Sequence, residues 1–100
     1  MKLLLACAAG MSTSILVKKI NDAALDEGIE IAVQAVPVTE ALEIGNAWDV
    51  VLLGPQVAFK LKQFQETLNV PVAVIPSMDY ARGDGEAVLE FAHEMYNDSK

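Results

Sequence analysis

The sequence predicts a doubly wound α/β domain, a four-stranded parallel sheet with helices on both faces. Three observations carry this prediction. Two short continuous apolar runs, Lys2–Ala6 and Trp48–Leu53, read as strands buried on both faces, as parallel strands are. Between the strand-like runs lie segments whose apolar residues recur every three or four positions. The strand–helix alternation occurs four times, which favours parallel pairing through right-handed crossovers.

Taken in order, the first run gives way to a small-residue, glycine-containing loop, Cys7–Ser12. From Thr13 to Glu27 the pattern is helical. Leu16, Ile20, Ala23 and Ala24 share one face, while Lys19, Asp22 and Asp26 lie largely off it. Gly28 stands where a helix end takes a left-handed residue, but Asp26 and Glu27 oppose the negative end of the helix dipole. Ile29–Val36 alternates Ile29, Ile31, Val33 and Ala35 against Glu30 and Gln34, as an edge strand does, and Pro37 ends it. Thr39–Gly45 reads as a short helix carrying Leu42 and Ile44. Gly54-Pro55 closes the second buried strand, with Trp48 partly buried at its start. Pro55 suits the first position of a helix whose Val57, Leu61, Phe64 and Leu68 face the core, capped by Asn69. Val70–Ile75 reads as the fourth strand, with Pro71 near its start. Pro76–Gly83 reads as a loop. Asp84 caps a last helix with Val88, Ala92, Met95 and Tyr96 inward.

The chain of 100 residues suits one domain, 1–100, without linker, repeat or low-complexity segment. It is 53% hydrophobic with a mean hydropathy of +0.33, enough apolar material for a packed core. No apolar run approaches the roughly 18 residues needed to span a bilayer. Ser12, Thr13, Ser14, Lys18 and Lys19 follow the first run at once, which weighs against a secretion signal. A net charge of −7 disfavours nucleic acid and anionic membranes as partners. A field of that sign repels anions, so a phosphate site must be built locally from backbone amides and hydroxyls. A lone cysteine forms no internal disulfide and fits a reducing cytoplasm.

The informative segment is Cys7-Ala8-Ala9-Gly10-Met11-Ser12-Thr13-Ser14, at the carboxyl end of the first strand and the start of the first helix. Ligands of open α/β sheets bind at such ends. Helix N-termini offer unpaired amides, Gly10 permits the loop to curl, and Ser12, Thr13 and Ser14 add hydroxyl donors. Amides that hold a phosphate also favour a thiolate, so Cys7 reads as a nucleophile facing an anion cradle. Against this stands the ordinary reading of a lone cysteine as a small buried hydrophobe, and of any one hydroxyl as a helix cap. Three hydroxyls after Gly-Met favour the anion site. No Gly-Lys-Ser/Thr follows a spaced glycine, no Cys-x-x-Cys occurs, and His93 is the only histidine. An NTP-binding loop, thioredoxin-like chemistry and a metal or other cofactor are therefore not expected. Lys18 and Lys19 read as a solvated face, with Lys18 available to an acidic partner, and His93 as a surface or rim residue.

Cys-Ala-Ala-Gly-Met-Ser-Thr-Ser resembles the active loop of enzyme IIB of the bacterial sugar phosphotransferase system (PTS), lactose/cellobiose family, in its cellobiose/diacetylchitobiose branch. Asp49–Gln56 is a second match; Tyr80 with Asp84-Gly85 is a third and weaker one. The resemblance implies strand order 2-1-3-4 and a phosphocysteine at Cys7, held by amides of Ala8 to Ser14. It implies a phosphohistidine donor on an enzyme IIA and a sugar acceptor, a cellobiose- or chitobiose-like β-disaccharide, on the membrane enzyme IIC. A cytoplasmic monomer without metal is expected. Fold and loop are also similar to low-molecular-weight tyrosine phosphatases, whose Cys-x5-Arg-Ser/Thr would place an arginine at position 13, where Thr13 stands. Without that bidentate clamp a carrier is favoured over a phosphatase. The alternatives are a phosphatase-like enzyme, tested by turnover of an aryl phosphate, and a module that binds an anion or partner without covalent chemistry. Gln56 and Tyr80 are possible site-lining residues; Gln56 reads equally as a solvated helix residue, and Tyr80 somewhat better as packing beneath the loop. Asp79, the nearby candidate for a general acid, reads better as a solvated turn residue.

Overall fold

The carboxyl ends of four parallel strands define one end of the molecule, and the strand order decides which of them meet there. The computed structural model describes residues 1–8 and 13–99, with the backbone alone for Thr13 and Ser14. The strands are β1 (Lys2–Cys7), β2 (Ala32–Pro37), β3 (Val50–Leu53) and β4 (Val72–Val74). They pair in the order β2-β1-β3-β4, all parallel. The helices are α1 (Thr13–Glu27), α2 (Val38–Ile44), α3 (Leu61–Thr67), α4 (Ser77–Arg82) and α5 (Gly85–Asp98), with 3-10 turns at Gly45–Ala47 and Pro55–Lys60.

The central strands are apolar on both faces because both faces are covered. Leu3, Leu5, Val50 and Leu52 pack with Leu16, Ile20 and Ala24 of α1 and Val88, Leu89 and Ala92 of α5. On the other face, Leu4, Ala6, Val51 and Leu53 meet Ala41 of α2, Val57, Phe64 and Leu68. The outer strand β2 alternates as expected but starts at Ala32, not Ile29: Val33 and Ala35 pack against the α1–α5 core with Gln34 exposed, and Ile29 and Ile31 join that core from the segment before the strand. Gly28 adopts φ +68°, and the amides of Gly28 and Ile29 bond the carbonyls of Leu25 and Ala24, closing α1 with the paired bonds of a Schellman cap. Gly85 permits the close approach of α5 to α1. A Cβ there would collide with the Lys19 carbonyl group and lie 2.6 Å from the Ile20 nitrogen.

Five further expectations are corrected. Pro76–Gly83 is not a loop: Pro76 starts α4, Asp79 sits in its first turn, and Gly83 at φ +62° ends it. The helix expected from Pro55 begins as a 3-10 turn kinked at Val57 (φ −118°, ψ 23°), although Val57, Phe64 and Leu68 are buried as expected. Asn69 is not a side-chain cap; Leu68 caps α3, and the Asn69 amide donates to Asn46 Oδ1 at 2.7 Å. β3 is shorter than Trp48–Leu53, because Trp48 closes the 3-10 turn and the Asp49 amide bonds Lys2 O; β4 is shorter than Val70–Ile75.

Candidate active site at the end of the first strand

Cys7 is the last residue of β1, in register with Pro37 of β2. It is 7% exposed, and its thiol donates to the carbonyl of Val36 at 3.5 Å. β1 lies between β2 and β3, so chains leaving β1 and β3 diverge to opposite faces of the sheet. This is the switch point at which open α/β sheets form their crevice. The backbones of Thr13 and Ser14 open α1 above it. Ala8 is half-buried against the α2–α3 core. Ala9, Gly10, Met11 and Ser12, with the side chains of Thr13 and Ser14, lie outside the described residues.

The neighbouring strand brings the other sequence candidates to the same place. The Gly54 amide bonds Ala6 O at 2.9 Å, fastening the end of β3 beside the end of β1. A Cβ at Gly54 would lie 3.1 Å from Gln56 Oε1, 3.7 Å from Tyr80 Cε2 and 3.8 Å from Ala6 O. Gln56 is exposed but folds back over Gly54, and the Tyr80 ring covers Gly54 from the α4 side. In the sequence Gly54 marks the end of a strand and lies within the Asp49–Gln56 match. A glycine closing a strand at the switch point was the available signal that the chain needs close approach there.

Tyr80 is held from below and left open at its tip. The ring packs on the α1–α5 core, whereas its hydroxyl is buried without a hydrogen-bond partner among the described residues. Buried hydroxyls are nearly always paired, so this one stands out. Tyr80 also lines a hollow of about 230 Å³ with Ile15, Leu16, Lys19, Arg82 and Gly83, joining the start of α1 to α4. Asp79, by contrast, is engaged in α4: its carboxylate is 3.3 Å from Arg82 Nη2 and its carbonyl accepts the amide of Asp84. His93 lies at the far end of the molecule, beside Glu27, Glu90 and Glu94.

Fold and site together define a doubly wound parallel α/β domain with a cysteine ending the first strand at the switch point. The chain belongs to the PTS lactose/cellobiose-specific IIB subunit family, whose model matches residues 2–91. It is 42% identical over 101 residues to the cellobiose-specific EIIB component of Lactococcus lactis subsp. lactis (strain IL1403), covering 93% of this chain and 94% of that one. It is 40% identical over 94 residues to the oligo-beta-mannoside-specific EIIB component of Bacillus subtilis (strain 168), covering 91% of each. The solution structure of the cellobiose-specific phosphotransferase IIB component from Borrelia burgdorferi superposes with a TM-score of 0.82 at 38% identity, covering 98% of this chain and 93% of that one. Among the described residues no helix is long and apolar enough to cross a membrane.

Proposed function

We propose that the chain is a cytoplasmic, monomeric phosphocarrier in which Cys7 takes a phosphoryl group from a phosphohistidine of enzyme IIA. It then passes the group to a hydroxyl of a β-disaccharide of the cellobiose or chitobiose kind held by membrane enzyme IIC. The carrying observation is the position of Cys7, the last residue of a central parallel strand at the switch point. Membership of the IIB family and likeness to cellobiose-specific components support the substrate class.

In the first step the Cys7 sulfur attacks phosphorus in line. The S–P bond forms as the N–P bond breaks, and the donor imidazole leaves with the electron pair. In the second step the sugar oxygen attacks from the opposite side, the S–P bond breaks, and the hydroxyl proton is released to solvent or an acceptor-side base. Catalysis of such a transfer is chiefly positioning and charge stabilisation over the three equatorial oxygens. Backbone amides from Ala8 to Ser14 and the hydroxyls of Ser12, Thr13 and Ser14 are assigned that role. Gln56 and Tyr80 border it. The unpartnered Tyr80 hydroxyl supports its assignment as a donor that a phosphoryl oxygen satisfies.

Phosphorus NMR of the chain mixed with a phosphorylated IIA protein of the lactose/cellobiose type should show one thiophosphate resonance. Cys7→Ser should abolish it. A resonance that persists in Cys7→Ser, or none in the unsubstituted chain, overturns the proposal.

A further inference from the structure

At the start of β1, the end of the molecule opposite Cys7, the close of α1 and the approach to β2 leave an apolar hollow of about 650 Å³. Met1, Asn21, Ala24, Leu25, Ile29 and Ile31 are among its walls. The turn at Gly28 reverses the chain there, so that Leu25, Ile29 and Ile31 come together from its two sides. The apolar contact that accompanies such a cap falls to Ile29 and Ala24, both in the α1–α5 core, which leaves Leu25 without a structural task. Leu25 is 78% exposed. An isolated exposed leucine is ordinary surface, but one that shares a hollow with two half-buried isoleucines is part of an apolar patch.

The patch has a fixed charge beside it. A second hollow, of about 240 Å³, shares Ile29 with the first and is walled by Glu27, Glu90, His93 and Glu94; Glu30 lines the first. The four glutamates are exposed, and among the described residues none is paired with a cation. The cations of the first hollow are engaged. Lys2 Nζ donates to Ala47 O at 3.0 Å and stands 5.2 Å from the centre of the Trp48 ring, and the Met1 ammonium donates to the Glu30 carbonyl at 3.4 Å. An occupant of this surface must therefore be apolar and cationic together. A second copy of the chain would set like carboxylates against one another. The cytoplasmic surface of a membrane is itself negative and would be repelled. A protein segment with Lys or Arg beside an apolar side chain suits both hollows, and cytoplasmic loops of membrane proteins have that excess of Lys and Arg.

We infer that the surface around Leu25 docks a basic, apolar cytoplasmic segment of the membrane enzyme IIC, with an apolar side chain of that segment in the hollow beside Leu25 and its cations against Glu27, Glu30, Glu90 and Glu94. The identity of the partner rests on the proposed function. Because the surface lies opposite Cys7, its occupation leaves the sulfur end open to the donor and to the sugar in turn. Docking there holds the carrier near its acceptor and raises its effective concentration without touching the chemical step.

The test is co-sedimentation of the full chain with inverted membrane vesicles that carry a cellobiose-specific enzyme IIC, set against vesicles without it. Leu25→Gln and, separately, Glu90→Gln/Glu94→Gln should each weaken binding at least about fivefold at roughly 50 mM salt, and the effect of the glutamate pair should close near roughly 0.5 M. Glu43→Gln/Glu66→Gln removes the same charge from exposed positions of α2 and α3, on the other face of the sheet, and should stay within about twofold. Phosphoryl transfer from a phosphorylated IIA protein in solution should stay within about twofold in all three variants, since none alters the Cys7 end. Unchanged binding in Leu25→Gln, or no binding of the unsubstituted chain, removes the docking surface. Equal weakening by the control pair would show that net charge governs, and equal binding to vesicles without enzyme IIC would make the occupant lipid. A dimer of the chain alone in sedimentation equilibrium, lost in Leu25→Gln, would give the hollow to a second copy. Each of these overturns the inference while the proposed function stands. No transfer from the phosphorylated IIA protein to the unsubstituted chain defeats the proposed function and this inference with it.

Discussion

At the scale of single residues, the candidate site depends on groups whose local environment differs from that of ordinary core. Cys7 is nearly as buried as the leucines before it in β1, yet it closes a strand instead of continuing one, and its thiol turns to the Val36 carbonyl. Tyr80 has the opposite character: a ring anchored in the core and a hydroxyl without a partner among the described residues. A buried unpaired hydroxyl costs about 1–3 kcal/mol of desolvation. Tyr80→Phe should therefore leave the unphosphorylated chain as stable or more stable, by up to about 1 kcal/mol, in urea unfolding. After phosphorylation the order should reverse, because the native hydroxyl then has an acceptor. A destabilised Tyr80→Phe before phosphorylation would mean that the hydroxyl is already satisfied. Tyr80 was legible in the sequence as a candidate, but its unpaired state was not, since pairing depends on the contacts around Pro76–Gly83.

At the scale of elements, the crossing of α1 and α5 positions the start of α1 over the sheet. Gly85 is at the point of closest approach, and no side chain fits between it and the Lys19–Ile20 backbone. Backbone cannot yield as a flexible side chain can, so Gly85→Ala should cost at least the roughly 1–3 kcal/mol typical of overpacking. A calorimetric melt unchanged by the substitution would contradict this packing. Most elements were legible because their periodicity was strong: α1 runs Thr13–Glu27 as expected, and the apolar runs became the buried strands. The misreadings came where signals were short or shared. Pro76–Gly83 carries turn residues, yet proline at a helix start and glycine just past its end are also the punctuation of a single short helix. The stripe from Val57 to Leu68 is compatible with 3-10 as well as α geometry over its first turn, and the chain takes the former, kinked at Val57. In the site, Cys7, Gln56 and Tyr80 were each visible, but the convergence of the last two over Gly54 follows from strand order and could not be read from spacing alone.

At the scale of the whole molecule, a net charge of −7 first reads as a field hostile to phosphate, and the fold changes that reading. The field is unevenly distributed along α1, where Lys18 and Lys19 precede Asp22, Asp26 and Glu27, and along the segment into α3, where Lys60 and Lys62 precede Glu66. A Debye length of about 8 Å at physiological salt then largely shields the Cys7 end from the acidic end, which lies beyond most of a sheet's height. The same sorting makes a stability prediction independent of function. Replacing the terminal acids of α1 and α5 in Asp26→Lys/Asp98→Lys places bases where the dipole favours them and dilutes like-charge repulsion at the acidic end. Each substitution should stabilise the fold by about 0.3–1 kcal/mol at low ionic strength. In roughly 1 M salt, where the Debye length falls to about 3 Å, most of that gain should vanish. Denaturant unfolding at both salts checks it. A gain equal at the two salts would assign the effect to helix propensity, and no gain at either would mean that charge order along these helices costs the fold nothing.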